Sequence, residues 1–555
     1  MAMMSFMQKH KLVFLGSVFL ATVLLNAIGV DKVTSPTSKD EYHRVFRTAL
    51  TMSEENVWLV PLLDGNPRIE KPPLLNWLTR FNFEVFGLSA GSARLIILLF
   101  SGLLVAVIAA IALELQPDIW YAIFAALIAL STIGMSIHGR ILLPDIPTAA
   151  LSGVAFYLFL KWFKTGSQSF LILAAVVLAG SFLTKGPVAF VVLGSGVLSL
   201  ILTDHSVRQF LRQNLFQTVI PVVIFIVLSL SWYVYVFVQF PAYTSEVLET
   251  EYEARRFGRF HLNAILQFTS LFFPWTVLLI LSIVRWRSGR ISFNNERASM
   301  LLLWVAISLA PFCFIRSFDR YLVGTLIPAS LFCAKSVGGL TNGWSRNGVT
   351  IFLATLFVIP LLAFCTWFRL SSHSLTIAVL ILLAVFAYVW WKAVGFSAMA
   401  ISSAVLWTAV FGVFFPRLGV NDVPAEVLNI VGGRNVFFYR DPQPAMLPII
   451  KGRSMDLVFN LTRVAQHCDE TPLVFSLREE SKRINSNAAA LKVNLRELYS
   501  YKAIIALEKL VSSAVRSSAA SKWQSAIKSR SLEPLKTEIV LFQVLCATDK
   551  SSPES

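Results

Sequence analysis

The chain has 555 residues, 56% of them hydrophobic and only 14% charged. A soluble fold cannot hide so large an apolar share, so lipid must be the solvent for most of the chain. The formal charge of +16 would point to nucleic acid in a soluble protein, but here the basic residues are spread over loops between apolar runs. Membrane orientation and anionic headgroups account for that pattern, and no nucleic-acid partner is expected.

The first apolar run, residues 12–30, follows Lys9 and Lys11. It is long enough to span and has no clear small-x-small cleavage site, so it reads as an uncleaved first helix and not as a signal peptide. Further runs of spanning length centre near Val105, Phe124, Phe156, Val176, Leu193, Ile226, Leu278, Ala306, Leu326, Leu356, Leu382 and Val405. The expected membrane domain, residues 1–420, is therefore mainly α, with about thirteen transmembrane helices. Short basic loops holding Lys161, Lys164, Arg208, Arg212, Arg285, Arg287, Arg290 and Arg297 fall on the side of the N-terminus, which makes that side cytoplasmic. An odd helix count then places everything after Pro416 outside.

Two outer loops, residues 31–94 and 241–267, are too long to be mere connectors, and their aromatic content argues against disorder. Residues 74–86 space their apolar side chains as a helix lying in the interface would. After Asn421 the composition changes. Short β-rich runs at 435–439, 472–477 and 539–545 alternate with polar stretches that read as helical, including 491–498 and 507–518. A small soluble α/β domain over 421–548 is expected on the outer side, followed by a disordered tail from 549 to 555. Five cysteines without a CxxC exclude a zinc site of the usual spacing. Cys468 and Cys546, both in the outer domain, are candidates to pair in an oxidising compartment, although Cys546 falls on a run that reads as a buried strand.

Six clusters of ionisable residues sit where the chain leaves the membrane. Asp40-Glu41 opens a helix just outside the first span, where capping is the ordinary use of an aspartate. Glu70-Lys71 precedes two prolines that fix the backbone, although a solvated charge pair is the plain alternative. His138, Arg140 and Asp145 lie between two spans, where ionisable groups are costly and tend to be paired or functional. Lys185, in Lys185-Gly186-Pro187, has almost no loop to solvate it, and snorkelling competes with a ligand-binding role. Glu251, Glu253, Arg255 and Arg256 form the fifth cluster with His261, and Asp319-Arg320-Tyr321 the sixth. Together they gather carboxylates, a histidine and cations at one membrane face. That composition suits binding a lipid-linked phosphate, holding a divalent metal and activating a reacting group.

The order of these elements resembles the type C glycosyltransferases, most closely the bacterial aminoarabinose (lipid A) transferases and their relatives in the protein mannosyltransferase superfamily. The similarity is carried over about residues 1–420 by the acidic pair, Glu70-Lys71-Pro72-Pro73-Leu74 with Trp77 and Phe86-Gly87, then Arg94 and Arg140 with Asp145. Lys185-Gly186-Pro187, Trp232-Tyr233, Arg256-Phe257, Pro274-Trp275 and Arg320-Tyr321 follow in order. The resemblance implies transfer of a sugar from a polyprenyl-phosphate carrier to a lipid, glycan or protein acceptor on the outer face, inverting at the anomeric carbon. It implies catalytic roles for Asp40 and Asp145, with Glu41 beside Asp40. It implies a divalent metal, zinc or magnesium, on Glu70, with Glu253 and His261 as further donors. Lys71 and Lys185 are implied to hold the donor phosphate together with Arg256 and Arg320. The sequence departs from the family at Tyr42-His43-Arg44, where Arg-Tyr is common. It departs again at Glu253, where aminoarabinose transferases tend to carry histidine. The family pattern also implies a bacterial inner-membrane location with the site periplasmic. A multi-span transporter or flippase of a lipid-linked or anionic substrate is the alternative, against which stand the absence of an internal repeat and the gathering of charges at one face.

Overall fold

The computed structural model describes residues 2–32, 41–63, 66–254, 256–289, 295–340, 359–368, 395–418, 422–440, 447–504 and 517–546, with isolated positions between them. Asp40, the tail, and the spans expected near residues 356 and 382 lie outside the described residues. Among the described residues six helices are long and apolar enough to cross a membrane: His10–Ala27, Ala90–Leu115, Asp145–Thr165, Gln168–Lys185, Leu215–Gln239 and Asn295–Cys313. Eight crossings result if two bent pairs count as one span each. The runs centred near Leu193 and Leu278 belong to these pairs, bent by 107° and 105°. The bend after Thr203 is made by Asp204, whose side chain caps the N–H groups of Ser206 and Val207 and so starts a new helix.

Polar groups at the two ends of the bundle are matched to helix ends. The carbonyls that close the first helix accept from two arginines: Arg140 reaches Leu25 and Ile28 at 2.9 and 2.5 Å, and Arg94 reaches Val30 and Lys32 at 2.8 and 2.6 Å. Carbonyls at a helix C-terminus have no intrahelical donor, and cations there also oppose the helix dipole. At the other end of the bundle Glu114 gathers Lys11, Lys161 and Lys164 at 2.8, 3.2 and 3.2 Å. One end is therefore lysine-rich, and the opposite end carries Asp145, Lys185 and both long loops.

The Leu74–Phe86 helix forms as expected, and its buried face carries polar side chains beside the apolar Leu75 and Phe83. Asn76, Thr79, Arg80 and Asn82 are buried against the protein, while Phe81, Val85 and Phe86 are exposed. Arg80 donates there to Glu84 at 2.9 Å and Asn56 at 2.8 Å and lies 4.0 Å from the centre of the Trp58 ring. The aromatic side is thus free to face lipid.

The soluble domain is α/β, as expected. Five strands, β3 (Val436–Tyr439), β4 (Asp456–Val458), β5 (Leu473–Leu477), β6 (Val493–Ala503) and β7 (Thr537–Cys546), form one sheet in the order β4-β3-β5-β7-β6; β1 (Leu62–Leu63) and β2 (Asn66–Pro67) pair in the first outer loop. β3 runs parallel to β4 and β5, whereas β7 is antiparallel to β5 and β6. Residues 491–498, expected to be helical, instead lie largely in β6. A register shift between Glu497 and Tyr499 interrupts its alternation, so Leu495 and Leu498 are spaced like neighbours on a helix although they lie on a bulged strand. Cys468 and Cys546 form a disulfide between the Cys468–Glu470 turn and the end of β7.

Period-2 alternation gives the sheet two apolar faces. Phe437, Val474, Val540 and Phe542 face Ile484, Ala488 and Val464, which closes one core. Val436, Phe438, Leu473, Phe475 and Leu541 belong to a second core with Tyr42, Val45, Phe46, Ala49, Leu75, Ile97 and Leu142. The soluble domain and the first outer loop therefore share one hydrophobic core.

Candidate active site

The site is built where two spans meet end to start. Asp145 opens its helix directly after Pro144, and Lys185 is the last residue of the neighbouring helix. Gly186 follows at φ +69°, a conformation that costs glycine little, and Pro187 begins the next helix. This turn leaves no loop around Lys185, whose ammonium donates to the Asp145 carboxylate and lies 3.9 Å from the centre of the Tyr321 ring. Arg320 Nε stands 4.0 Å from the other Asp145 oxygen. All three side chains are nearly buried, so the group is held by charge pairing and not by water. Next to it, Asp319 lies 3.4 Å from His138 Nε2 and accepts from the Arg320 N–H at 2.8 Å. Burial opposes ionisation of Asp319, but His138 and the Arg320 N–H outweigh it and hold the carboxyl down at about 2.

A cavity of about 570 Å³ opens onto this group. Among the described residues its wall carries five cations, Arg44, Lys71, Lys185, Arg316 and Arg320, and two carboxylates, Asp145 and Glu251. Lys71 donates to both oxygens of Glu251 at 3.0 and 3.1 Å. A second cavity of about 780 Å³ shares Pro187 and Glu251 with the first and has a largely apolar wall, including Phe182, Leu230, Tyr233 and Val247. Glu70 and Arg256 line this second cavity, and Arg68 pairs with Glu70 at 3.3 Å.

Of the residues picked from the sequence, Asp145, Lys185, Lys71 and Arg320 come together in the charged cavity, and Glu70 and Arg256 in the adjoining one. Glu41 lines neither. Its carboxylate is fully buried, holds Arg94 in a two-pronged pair at 2.6 and 3.0 Å and accepts the Leu142 N–H at 2.8 Å. These bonds use its oxygens to fasten the loop before Asp145. Asp40 lies outside the described residues. Glu253 is exposed beside Arg256, His261 lines neither cavity, and the two do not converge with Glu70 on a point within reach of one ion. The expected three-donor metal set therefore does not fit this arrangement. Sequence reading gave no site role to Arg44 or Arg316, and it placed Glu251 in the fifth cluster without assigning it one. In the sequence, Arg316 stands four residues before Arg320 and Arg44 four residues after Asp40.

The bundle and this site define a multi-pass membrane protein with the fold of the type C glycosyltransferases, in line with the resemblance read from the sequence. Two solved structures of ArnT from Cupriavidus metallidurans share the fold. The one bound to undecaprenyl phosphate is 14% identical with a TM-score of 0.68, over 97% of this chain and 99% of that one. The apo form is 16% identical with a TM-score of 0.65, over 85% and 94%. The sequence profile of the dolichyl-phosphate-mannose-protein mannosyltransferases matches residues 70–232, the segment from Glu70 through Asp145 and Lys185 to Trp232. Two uncharacterized proteins of Aquifex aeolicus (strain VF5) are also similar. One is 22% identical over 61% of this chain and 67% of its own length, the other 33% identical over 36% of this chain and 44% of its own.

Proposed function

We propose that this chain transfers a sugar from a polyprenyl-phosphate carrier to an acceptor at the outer face of a bacterial inner membrane. The observation that carries the reading is the cavity with five cations and two carboxylates at the end of the bundle. A wall in which five cations come together suits a phosphate ligand, since charge-assisted hydrogen bonds to phosphate oxygens are strong. The undecaprenyl phosphate bound to the similar ArnT supports the same class of ligand.

In this reading the carrier phosphate takes the place of Glu251 at Lys71 and of Asp145 at Lys185. Arg44, Arg316 and Arg320 then oppose the charge that builds on the phosphate oxygen as the bond to the anomeric carbon breaks. The isoprenoid runs into the apolar second cavity. Asp145, freed from Lys185 and still beside Arg320, faces the acceptor. If the acceptor is a hydroxyl, a carboxylate takes its proton, and Asp40 from the family match is the other candidate. If it is a phosphate, no base is needed. A single displacement inverts the anomeric carbon. A divalent metal, were one bound, would supply further charge stabilisation at the leaving phosphate, but no step here depends on it.

The disulfide supports an oxidising compartment for the soluble domain. The lysines around Glu114 at the opposite end support a cytoplasmic face there. The test is release of polyprenyl phosphate from a polyprenyl-phosphate sugar by the purified chain in proteoliposomes. Release that requires acceptor lipid and is lost in Asp145→Asn is expected. Movement of intact donor across the bilayer without release would replace the enzyme with a flippase.

A further inference from the structure

The wall of the charged cavity is made in part by two short segments whose backs face the soluble domain. One carries Arg44 and Val45, and the other carries Leu143, Pro144 and Asp145. The first segment is a π-helical turn, Tyr42–Phe46, that continues into the Arg47–Glu54 helix. Such turns crowd an extra residue into the helix and often re-aim side chains at functional sites. Here Val45 belongs both to the cavity wall and to the core shared with the sheet, so a single residue separates cavity from domain. Tyr42 meets Phe438 of β3 edge-on, with ring centres 6.4 Å apart.

Polar contacts fix the same plate in register. Arg47, 1% exposed, donates to Asp456 of β4 at 3.2 Å, and Asp456 also takes Arg463 at 2.9 Å. Glu54, at the far end of the helix, accepts the Ser454 N–H at 2.7 Å and the Ser454 hydroxyl. The second segment is tied to the first through Glu41, which accepts the Leu142 N–H, and Leu142 lies in the shared core. Tyr42 and Arg47 are both fully buried in this contact.

We infer that the soluble domain is a working part of the transfer site: through Arg47–Asp456, Glu54–Ser454 and the Tyr42–Phe438 contact it holds Arg44 and Asp145 at the cavity wall. Arg47, Glu54, Ser454 and Asp456 are positioning residues in this scheme, since none of them lines either cavity. The effect on chemistry follows from geometry, because a shift of about 1 Å in a positioned group can cost on the order of 100-fold in rate.

The inference rests on the transfer reading, so the test separates the two. Full-length protein in lipid nanodiscs is compared with Asp456→Asn, with Glu54→Gln/Ser454→Ala, and with Asp456→Glu, which keeps the charge. Amide exchange at residues 41–54 and 141–145 reports the plate, and polyprenyl phosphate affinity and donor turnover report the site. Asp456→Asn and the double variant should speed exchange in both segments but not in the spans or the Cys468–Cys546 peptide. Affinity should weaken roughly tenfold and turnover should fall on the order of 10- to 100-fold, with both recovering most of the way in Asp456→Glu. Faster exchange with unchanged affinity and turnover would reduce the domain to passive packing and overturn the inference. Unchanged exchange in both variants would overturn it as well. If the wild-type chain neither binds polyprenyl phosphate nor releases it, the transfer reading fails, and exchange at 141–145 alone decides the coupling.

Discussion

Lys185→Met is the sharpest perturbation of the site, because methionine keeps the apolar stem and removes only the charge. It leaves the Asp145 side chain 3% exposed with Arg320, 4.0 Å away, as its remaining cation. Removing one partner of a buried pair costs roughly 3–5 kcal/mol. Arg320 places the expected loss at the low end, about 3 kcal/mol, or on the order of 100-fold in the folded-to-unfolded ratio. Asp145→Asn/Lys185→Met removes both charges and should recover most of that stability, since neutral groups of similar shape cost little in place of a buried pair. Transfer should not recover. Thermal unfolding in detergent micelles reads the stability, and a polyprenyl phosphate binding assay reads the site, where both variants should bind at least roughly tenfold more weakly. A double variant no more stable than Lys185→Met would show that the two residues are not one unit. Wild-type affinity in Lys185→Met would take the lysine out of the phosphate site.

Arg44→Ala and Arg316→Ala should each weaken polyprenyl phosphate binding by roughly tenfold or more, because charge-assisted hydrogen bonds contribute about 1.5–3 kcal/mol; equilibrium binding with each variant checks this. Glu41→Gln should cost about 3 kcal/mol of stability by stripping Arg94 of its buried carboxylate, and activity measured per folded molecule should fall less than in Asp145→Asn. Glu253→Ala and His261→Ala should each leave transfer within about twofold, as expected of exposed or outlying side chains; a large loss that added divalent metal restores would reinstate them as ligands. Peptide mapping without reductant should recover Cys468 linked to Cys546, and Cys468→Ser should destabilise the soluble domain by about 2–4 kcal/mol.

The general architecture was legible because lipid imposes a coarse code: long apolar runs, basic short loops, and ionisable residues gathered at one face. Lys185-Gly186-Pro187 reads correctly even at the level of geometry, since a lysine squeezed between two spans has only its neighbours to pair with. Pairings between distant segments were not legible. Nothing local tells that Glu41 belongs to Arg94 and Leu142, or that Lys71 belongs to Glu251, 180 positions away. The Leu74–Phe86 helix is legible as a helix, but its period does not tell that polar Asn76, Arg80 and Asn82 are among the residues that meet protein. β6 misleads because one extra residue in a strand produces a spacing that belongs to helices.

The core shared by the first outer loop and the sheet has a consequence for synthesis. Arg47 and Asp456 are 409 positions apart, so residues 41–54 are synthesised long before their partner exists. At about 5–20 residues per second, roughly 20–80 s pass between the two. Throughout that interval Tyr42, Val45, Phe46 and Leu142 lack the surface that covers them in the finished protein. Until then these side chains need another cover, and the shared core closes only once the sheet has been made.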